Sequence, residues 1–349
     1  MKVTIKDIAK RAGVSHPTVS RCLHNSPLVS AETRQRVQRI AAEMNYVPNQ
    51  NARGLCSNRT DTIGVIVPYC QVSETSLFLD ELLQQIRVML GKNQKDCIVA
   101  YDENPQHQES HALRLVRQGK VDGLLIASST MSRETVTALE EEGVPAIFYH
   151  LVPHWALEEP SVHWVHHDNY RGGRLAGEYL ASLGHRHLAC VTAAHYAGER
   201  EFTHRLKGFQ EGLSSLGGSM AAAHLLLVEE LTWEAGKELA QEAEKLLEET
   251  SGIFFHADQA ALGFIKGLQE QGIEVPEDYS VIGYDDVREG FMTTPELTTI
   301  HQPREAISTL AAAMLMERLK GGTAPLKQPC IQQTLNPTLV IRQSCRQLK

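Results

Sequence analysis

The sequence predicts an α/β fold with an all-α head: a three-helix unit at residues 1–47, a connecting piece at 48–60, and a two-lobed α/β body at 61–349. Three observations predict it. From Ile63 onward short apolar runs alternate with helical patterns, as in parallel sheets covered by helices on both faces. Thr4 to Leu23 reads as helix, glycine turn, helix. The charge also divides. The first 60 residues carry ten basic side chains against three acidic ones, a net of +7, while the rest carries 24 against 39, a net of −15. A basic head on an acidic body assigns contact with a polyanion to the head, the alternative being a basic solvated face with no partner.

In the head, Ile5, Ile8, Ala9 and Ala12 repeat at the spacing of one helix face. Gly13 follows where the chain must turn, because glycine reaches positive φ without a Cβ clash. Ser15 is an N-cap for a second helix that tolerates Pro17 in its first turn, and Val19 and Leu23 face back onto the first. This is a helix-turn-helix, whose second helix enters a DNA major groove; an ordinary two-helix corner gives the same pattern. Asn25-Ser26-Pro27 reads as a loop, and Ser30 with Thr33 opens a third helix striped by Val37, Ile40, Ala41 and Met44. Pro48 ends the unit, and Asn49–Leu55 is too short to be helical alone in water.

A major groove would meet His16, Pro17 and Arg21. Arg21 can pair bidentately with guanine O6 and N7, worth roughly 1–3 kcal/mol of base discrimination. His16 can donate to an acceptor edge, and Pro17 offers only apolar contact. Thr4, Ser15, Thr18, Ser20, Asn25, Ser30, Thr33 and Tyr46 carry hydroxyl or amide groups placed to meet phosphates, with local helix capping the alternative for each.

The body's predicted strands are 63–67, 97–100, 123–127, 146–149, 188–191, 224–228, 252–255 and 280–284, with helical patterns between most of them. That is too much for one sheet. Two lobes are expected, about 61–161 with 295–325 and about 162–294 with 326–349, the chain crossing near 160–163 and 293–295. Ligands of such sheets sit beyond the carboxyl ends of the strands. That singles out Tyr69, Cys70, Ser128, Ser129 and His150 in one lobe, and His195, Tyr196, Arg205, Asp258 and Asp285 in the other. A carboxylate and a guanidinium facing a cleft bind vicinal hydroxyls of a sugar; capping or interlobe ion pairing is the structural alternative.

Several classes are excluded. No run of about 18 apolar residues suggests a membrane span, and MKVTIKDIAKRAG lacks the apolar core of a signal peptide. Seven cysteines without a C-x-x-C motif point to reduced thiols in the cytoplasm. No strand is followed by G-x-G-x-x-G, and neither a P-loop nor a G-x-S-x-G elbow occurs, so no enzyme and no cofactor are expected. Nine of 16 histidines fall between His150 and His204, but Pro153 between His150 and His154 argues loop, and no metal is expected.

TIKDIAKRAGVSHPTVSRCL, VSAETRQRV and NYVPNQNARGL, in this order, resemble the headpiece and hinge of the LacI/GalR family of bacterial transcription regulators. IGVIVP, VDGLLI, DNYRGG, LGHRHLA, RLKGF, ADQAALG, VPEDYSVIGYDD and PELTTIHQP resemble blocks of its body. The resemblance implies a hinge helix joining the head to a periplasmic-binding-protein-like domain with a ligand cleft between its lobes. It implies that Asn49–Leu55 orders only when two copies meet in the minor groove, with Ala52 allowing their close approach and Leu55 wedging the central base step. It implies effector contacts from Arg205 and Asp285, support of the cleft by Asp258, and a turn and N-cap role for Asp168. The chain departs from the pattern at Gly54, at Leu77-Phe78-Leu79, at His150-Leu151, at Ala257 and at Leu231, so a cleft ligand other than the family's best-known sugars is expected.

The expected function is a repressor acting in the cytoplasm on the nucleoid. One helix-turn-helix reads a half-site, so a homodimer on a pseudo-palindromic operator is expected. Its effector is expected to be a sugar or sugar derivative. A nucleoside or purine effector, an activator, or a solute-binding protein without DNA function are the alternatives. The tail TLNPTLVIRQSCRQLK has no leucine heptads, so a coiled-coil tetramer is not expected.

Overall fold

The computed structural model describes residues 3–23, 26–46, 59–68, 76–102, 110–194, 199–221, 224–242, 248–320 and 330–348. The chain divides into two units, Met1–Thr60 and Asp61–Lys349.

In the first unit, α1 (Ile5–Ala12) opens on a reciprocal cap: the Thr4 backbone N–H and hydroxyl both donate to Asp7 Oδ2, at 2.8 and 2.6 Å. It ends at Gly13, whose φ of 65° is left-handed. α2 (His16–Leu23) is capped by Ser15 Oγ, which accepts from the Thr18 N–H at 3.3 Å. α3 (Ala31–Glu43) is capped in the same way by Ser30, which accepts from the Thr33 N–H at 3.3 Å. Ile8, Val19, Cys22 and Val37 are fully buried where the three helices meet.

The second unit holds, among the described residues, two six-stranded sheets. β1 (Thr62–Val67), β2 (Asp96–Tyr101), β3 (Gly123–Ile126), β4 (Ala146–Tyr149), β5 (Trp164–His167) and β11 (Gln332–Leu335) form the first, all parallel, in the order β11-β5-β4-β3-β1-β2. β6 (Ala189–Ala193), β7 (Leu225–Val228), β8 (Gly252–Phe255), β9 (Ser280–Asp285), β10 (Thr298–His301) and β12 (Thr338–Val340) form the second, in the order β12-β10-β9-β8-β6-β7. Only β12 runs antiparallel there. The central strands β3, β8 and β9 are buried throughout, as strands covered on both faces must be.

The chain crosses between lobes later than expected. Trp164–His167 pairs with β4 and stays in the first lobe, and Thr298–His301 pairs with β9 and stays in the second. The tail from 326 is not all second-lobe either, since β11 pairs with β5 before β12 returns to β10. The physical reason is composition: WVHH, TTIH and QQTL carry polar side chains, so they lack the continuous apolar run that marks a buried strand.

The helices of the body are α4 (Leu77–Lys92), α5 (His111–Arg117), α6 (Arg133–Glu141), α7 (His154–Leu157), α8 (Asn169–Ser182), α9 (Arg200–Ser214), α10 (Trp233–Leu239), α11 (Asp258–Glu270) and α12 (Arg304–Lys320). α8 and α9 pack backbone to backbone. A Cβ on Gly173 would lie 1.9 Å from the Arg205 carbonyl oxygen, and one on Gly208 2.0 Å from that of Tyr170. This contact fixes α9, and with it Arg205, against the second sheet. Polar links tie the lobes together: Leu77 N–H to Gln259 Oε1 at 3.3 Å, Arg288 N–H to Glu81 Oε1 at 2.9 Å, and Arg304 Nη1 and Nη2 to the Asp285 and Asp286 carbonyls, each at 2.7 Å.

Candidate nucleic-acid interface and ligand cleft

Burial of Val19 and Cys22 fixes the rotation of α2 and turns His16, Pro17 and Arg21 outward to solvent. The capping hydroxyls are already engaged locally. Ser15 Oγ lies 2.8 Å from Thr18 Oγ1, Ser30 Oγ donates to Thr33 Oγ1 at 2.9 Å, and Thr4 is bound to Asp7. They mark helix N-termini, where free N–H groups favour a phosphate. Ser20 and Tyr46 are part-buried. One organising residue carried no signal beyond its charge: Arg34 Nη2 donates to the Ser26 and Val29 carbonyls at 2.8 and 3.2 Å and holds the loop before α3. Asn25, Asn49, Ala52 and Leu55 lie outside the described residues, as do Tyr69, Cys70, His195 and Tyr196 in the body.

In the body the strand ends converge between the lobes. Asp258 opens α11 fully buried. Its Oδ1 accepts from the Thr299 hydroxyl at 2.6 Å and its Oδ2 from the Val287 N–H at 3.0 Å. Both oxygens are thus spent bracing α11 to β10 and to the segment after β9, and burial pushes the carboxyl up from its ordinary range. Asp285, at φ 128°, accepts from Gln302 Nε2 through Oδ1, and burial raises its carboxyl against the lowering pull of Arg205. Arg205 donates through Nε to Asn169 Oδ1 and through Nη1 to the His256 carbonyl, each at 2.7 Å. Its guanidinium carbon lies 3.8 Å from the centre of the Tyr284 ring and 4.9 Å from that of Phe202. Ser128 turns inward, its hydroxyl donating to the Asp102 carboxylate, while Ser129 Oγ reaches across to Glu199 Oε2 at 3.0 Å.

His150 follows β4 in the left-handed region at φ 63°. Its ring lies 4.5 Å from that of Phe78 and is stacked 5.4 Å from that of His167. His167 Nε2 in turn lies 3.2 Å from the Tyr284 hydroxyl, joining the lobes. His256 follows β8, with its Nε2 3.4 Å from Cys190 Sγ. The sequence marks Phe78 only as part of a departure from the family pattern and does not single out His167, His256 or Tyr284 as cleft residues. Their one signal is position, since three of the four lie at or just after the carboxyl end of a strand. A cavity of about 540 Å³ between the lobes is lined by Ser129, Thr130, Val152 and His154 from one and by Glu199, Arg200, Glu201, Thr203 and His204 from the other; the rings of Phe78, His150, His167, His256 and Tyr284 are not part of its lining.

Burial lowers the imidazoles here: His150 to about 3 and His166 to about 4, with His167 and His256 well below their ordinary value and Arg205 adding to the effect on His150, His167 and His256. The folded state therefore binds fewer protons there than the unfolded chain. Their contribution to stability is complete above about pH 6.5 and is lost as the pH falls toward 4, by up to about 1.4 kcal/mol per pH unit per imidazole. The raised Asp258 and Asp285 act in the opposite sense, so the effect is read by difference. His166→Gln is expected to gain up to about 2 kcal/mol on wild type between pH 7 and pH 5 in urea denaturation. A difference that stays constant with pH would put His166 back at its ordinary value.

Residues 4–49 match the model of bacterial regulatory proteins of the lacI family, and residues 178–345 that of the periplasmic binding protein-like domain. The HTH-type transcriptional regulator DegA of Bacillus subtilis (strain 168) is 33% identical over 352 residues, covering 99% of this chain and 98% of that one. The HTH-type transcriptional repressor PurR of Aliivibrio fischeri (strain MJ11) is 31% identical over 326 residues, covering 91% and 92%. Among solved structures, the transcriptional regulator CelR in complex with cellobiose is 26% identical with a TM-score of 0.69, covering 98% of this chain and 100% of that one.

Proposed function

Because this chain belongs to the LacI family of bacterial transcriptional regulators, we propose that it is a cytoplasmic repressor that binds a pseudo-palindromic operator on the nucleoid as a homodimer. Its effector is a small molecule held between the lobes of the body. The observation that carries the reading is α2, which exposes His16, Pro17 and Arg21 from a packed three-helix core. Selection from a genomic library followed by gel shift tests it. Binding should fall by orders of magnitude between 50 and 200 mM salt, roughly 10³-fold if six phosphates are neutralised. A chain that enriches no sequence is not a repressor.

The homodimer is supported by where apolar side chains stay exposed. Val99 and Tyr101 lie on β2 and Leu227 on β7, the edge strand of each sheet, and Phe291 and Met292 are also exposed. Uncovered apolar edge strands are pairing surfaces. Tyr101→Lys combined with Leu227→Lys is expected to yield monomers in sedimentation and to weaken operator binding at least tenfold. A variant that remains dimeric would place the interface elsewhere.

For the effector class, a sugar or sugar derivative is supported by the cellobiose complex of the similar CelR. A nucleoside or purine is supported by the rings and imidazoles between the lobes. A thermal-shift screen over both classes separates them, since a ligand at 100 times its Kd stabilises by about 2.7 kcal/mol.

A further inference from the structure

We propose that the cavity between the lobes takes its effector by a protonated amine, held by Glu201 and Glu199, so that the effector is an amino sugar. This rests on the reading that the effector sits between the lobes, and it narrows the sugar derivatives named above to one chemical class.

Glu201 is the starting point. It lies in the first turn of α9, lines the cavity and is only 7% exposed. Its carboxylate accepts from its own backbone N–H, and among the described residues it forms no ion pair. Burial raises its carboxyl above the ordinary range and Glu199 adds to the rise, while Arg205 and Arg200 pull the other way without reversing it. A buried carboxylate without a counter-ion destabilises the fold. This one stands at a cavity wall, where a cation from outside can reach it.

The rest of the lining is rich in acceptors. Ser129 Oγ donates its proton to Glu199 Oε2 at 3.0 Å, Thr130 Oγ1 to Asp102 Oδ2 at 3.1 Å, and Thr203 Oγ1 to the Arg200 carbonyl at 3.0 Å. With their protons committed, the three hydroxyl oxygens are left with acceptor valences. Glu199 has a second oxygen besides the one bound to Ser129. An ammonium matches such a lining, with three donors, no acceptor and the charge that Glu201 lacks.

Donors are fewer. Among the described residues Arg200 is the only arginine or lysine of the lining, and it is half-buried, so water reaches it. It does not demand an anion as the more deeply buried Glu201 demands a cation. His204 is lowered by burial and then by Arg200, and a neutral imidazole adds a single N–H. Sugar hydroxyls, each donor and acceptor at once, suit this mixture: they donate to the threonine oxygens and accept from Arg200.

Isothermal titration of the full chain with glucosamine, galactosamine and mannosamine tests this, each against its N-acetyl derivative and its parent hexose, with glucose 6-phosphate as the anionic probe. At least one amino sugar should bind the wild type, and its N-acetyl derivative and parent hexose should bind at least tenfold more weakly. Glu201→Gln, which keeps the shape and removes the charge, should weaken the amine at least tenfold, and Glu199→Gln should weaken it in the same direction. Without ligand, Glu201→Gln should also raise the melting temperature by about 2 °C or more, because it removes an uncompensated buried charge. A melting temperature that falls instead assigns Glu201 to holding the fold and overturns the proposal. An amine that binds no better than its N-acetyl derivative overturns it too, as does one whose affinity ignores both Gln variants, or the absence of binding by all three amines. Thr203→Trp narrows the cavity and separates this proposal from the reading beneath it. A hexose or phosphosugar that binds best and is lost in Thr203→Trp overturns the amine while leaving the cleft reading intact. Binding that survives Thr203→Trp removes the cleft reading itself, and the proposal with it.

Discussion

Gly173→Ala is expected to destabilise the body by about 3 kcal/mol or more and to blunt its response to any cleft ligand. The added methyl carbon would lie 1.9 Å from the Arg205 carbonyl oxygen and 2.7 Å from its carbonyl carbon. Overpacking costs roughly 1–3 kcal/mol where a side chain can swing aside, but here the obstacle is helix backbone. Relief requires α8 and α9 to separate, which would also undo the second close backbone approach, at Gly208, where a Cβ would lie 2.0 Å from the Tyr170 carbonyl oxygen. Interiors packed at crystal-like density have no slack to absorb the shift. The functional consequence follows from the same contact. Arg205 rides on α9, and its bonds to Asn169 at the start of α8 and to the His256 carbonyl hold only while the two helices keep this distance. Urea denaturation gives the stability loss, and ligand titration of the folded fraction gives the response. A loss below about 1 kcal/mol would mean that the helices part easily and that the glycine contact does not set the position of Arg205.

The features legible in the sequence are those decided locally. Gly13, Ser15 and Ser30 punctuate the head because a left-handed turn and two helix N-termini need those residue types whatever surrounds them. TIGVIV and GIFF announce themselves as strands because burial on both faces demands unbroken apolar runs. Lobe membership is not local. WVHH becomes a strand because β4 and β11 flank it, and its two histidines hide that from any periodicity. The cleft was legible only as a set of positions. The strand-end rule reaches His150, Arg205 and Asp285, but it cannot say that Ser128 turns toward Asp102 or that Asp258 spends both oxygens inside. Those facts depend on partners 26 and 41 residues away in the chain. Nor does the sequence announce that His167 stands beside His150, since 17 residues and a change of strand separate them.

Arg21→Ala is expected to weaken binding to the selected operator by about 10- to 100-fold per half-site while leaving binding to random DNA nearly unchanged. The range is that of one bidentate guanine contact, roughly 1–3 kcal/mol. The expectation depends on how α2 is held. Val19 and Cys22 are fully buried against α1 and α3, so the helix cannot roll, and Arg21 is committed to the exposed face. Arg21→Lys separates two roles. Lysine keeps the charge and loses the planar fork, so it should recover non-specific affinity but little of the specific affinity if Arg21 reads a base. If Arg21 instead meets a phosphate, lysine should restore most of both, alanine should weaken all sequences alike, and the salt dependence should shallow by about one unit in log–log slope per head. The two outcomes differ on one measured quantity, the ratio of specific to non-specific affinity. That ratio falls only in the first case. It decides whether this head reads sequence through Arg21 or through His16 and Pro17 alone.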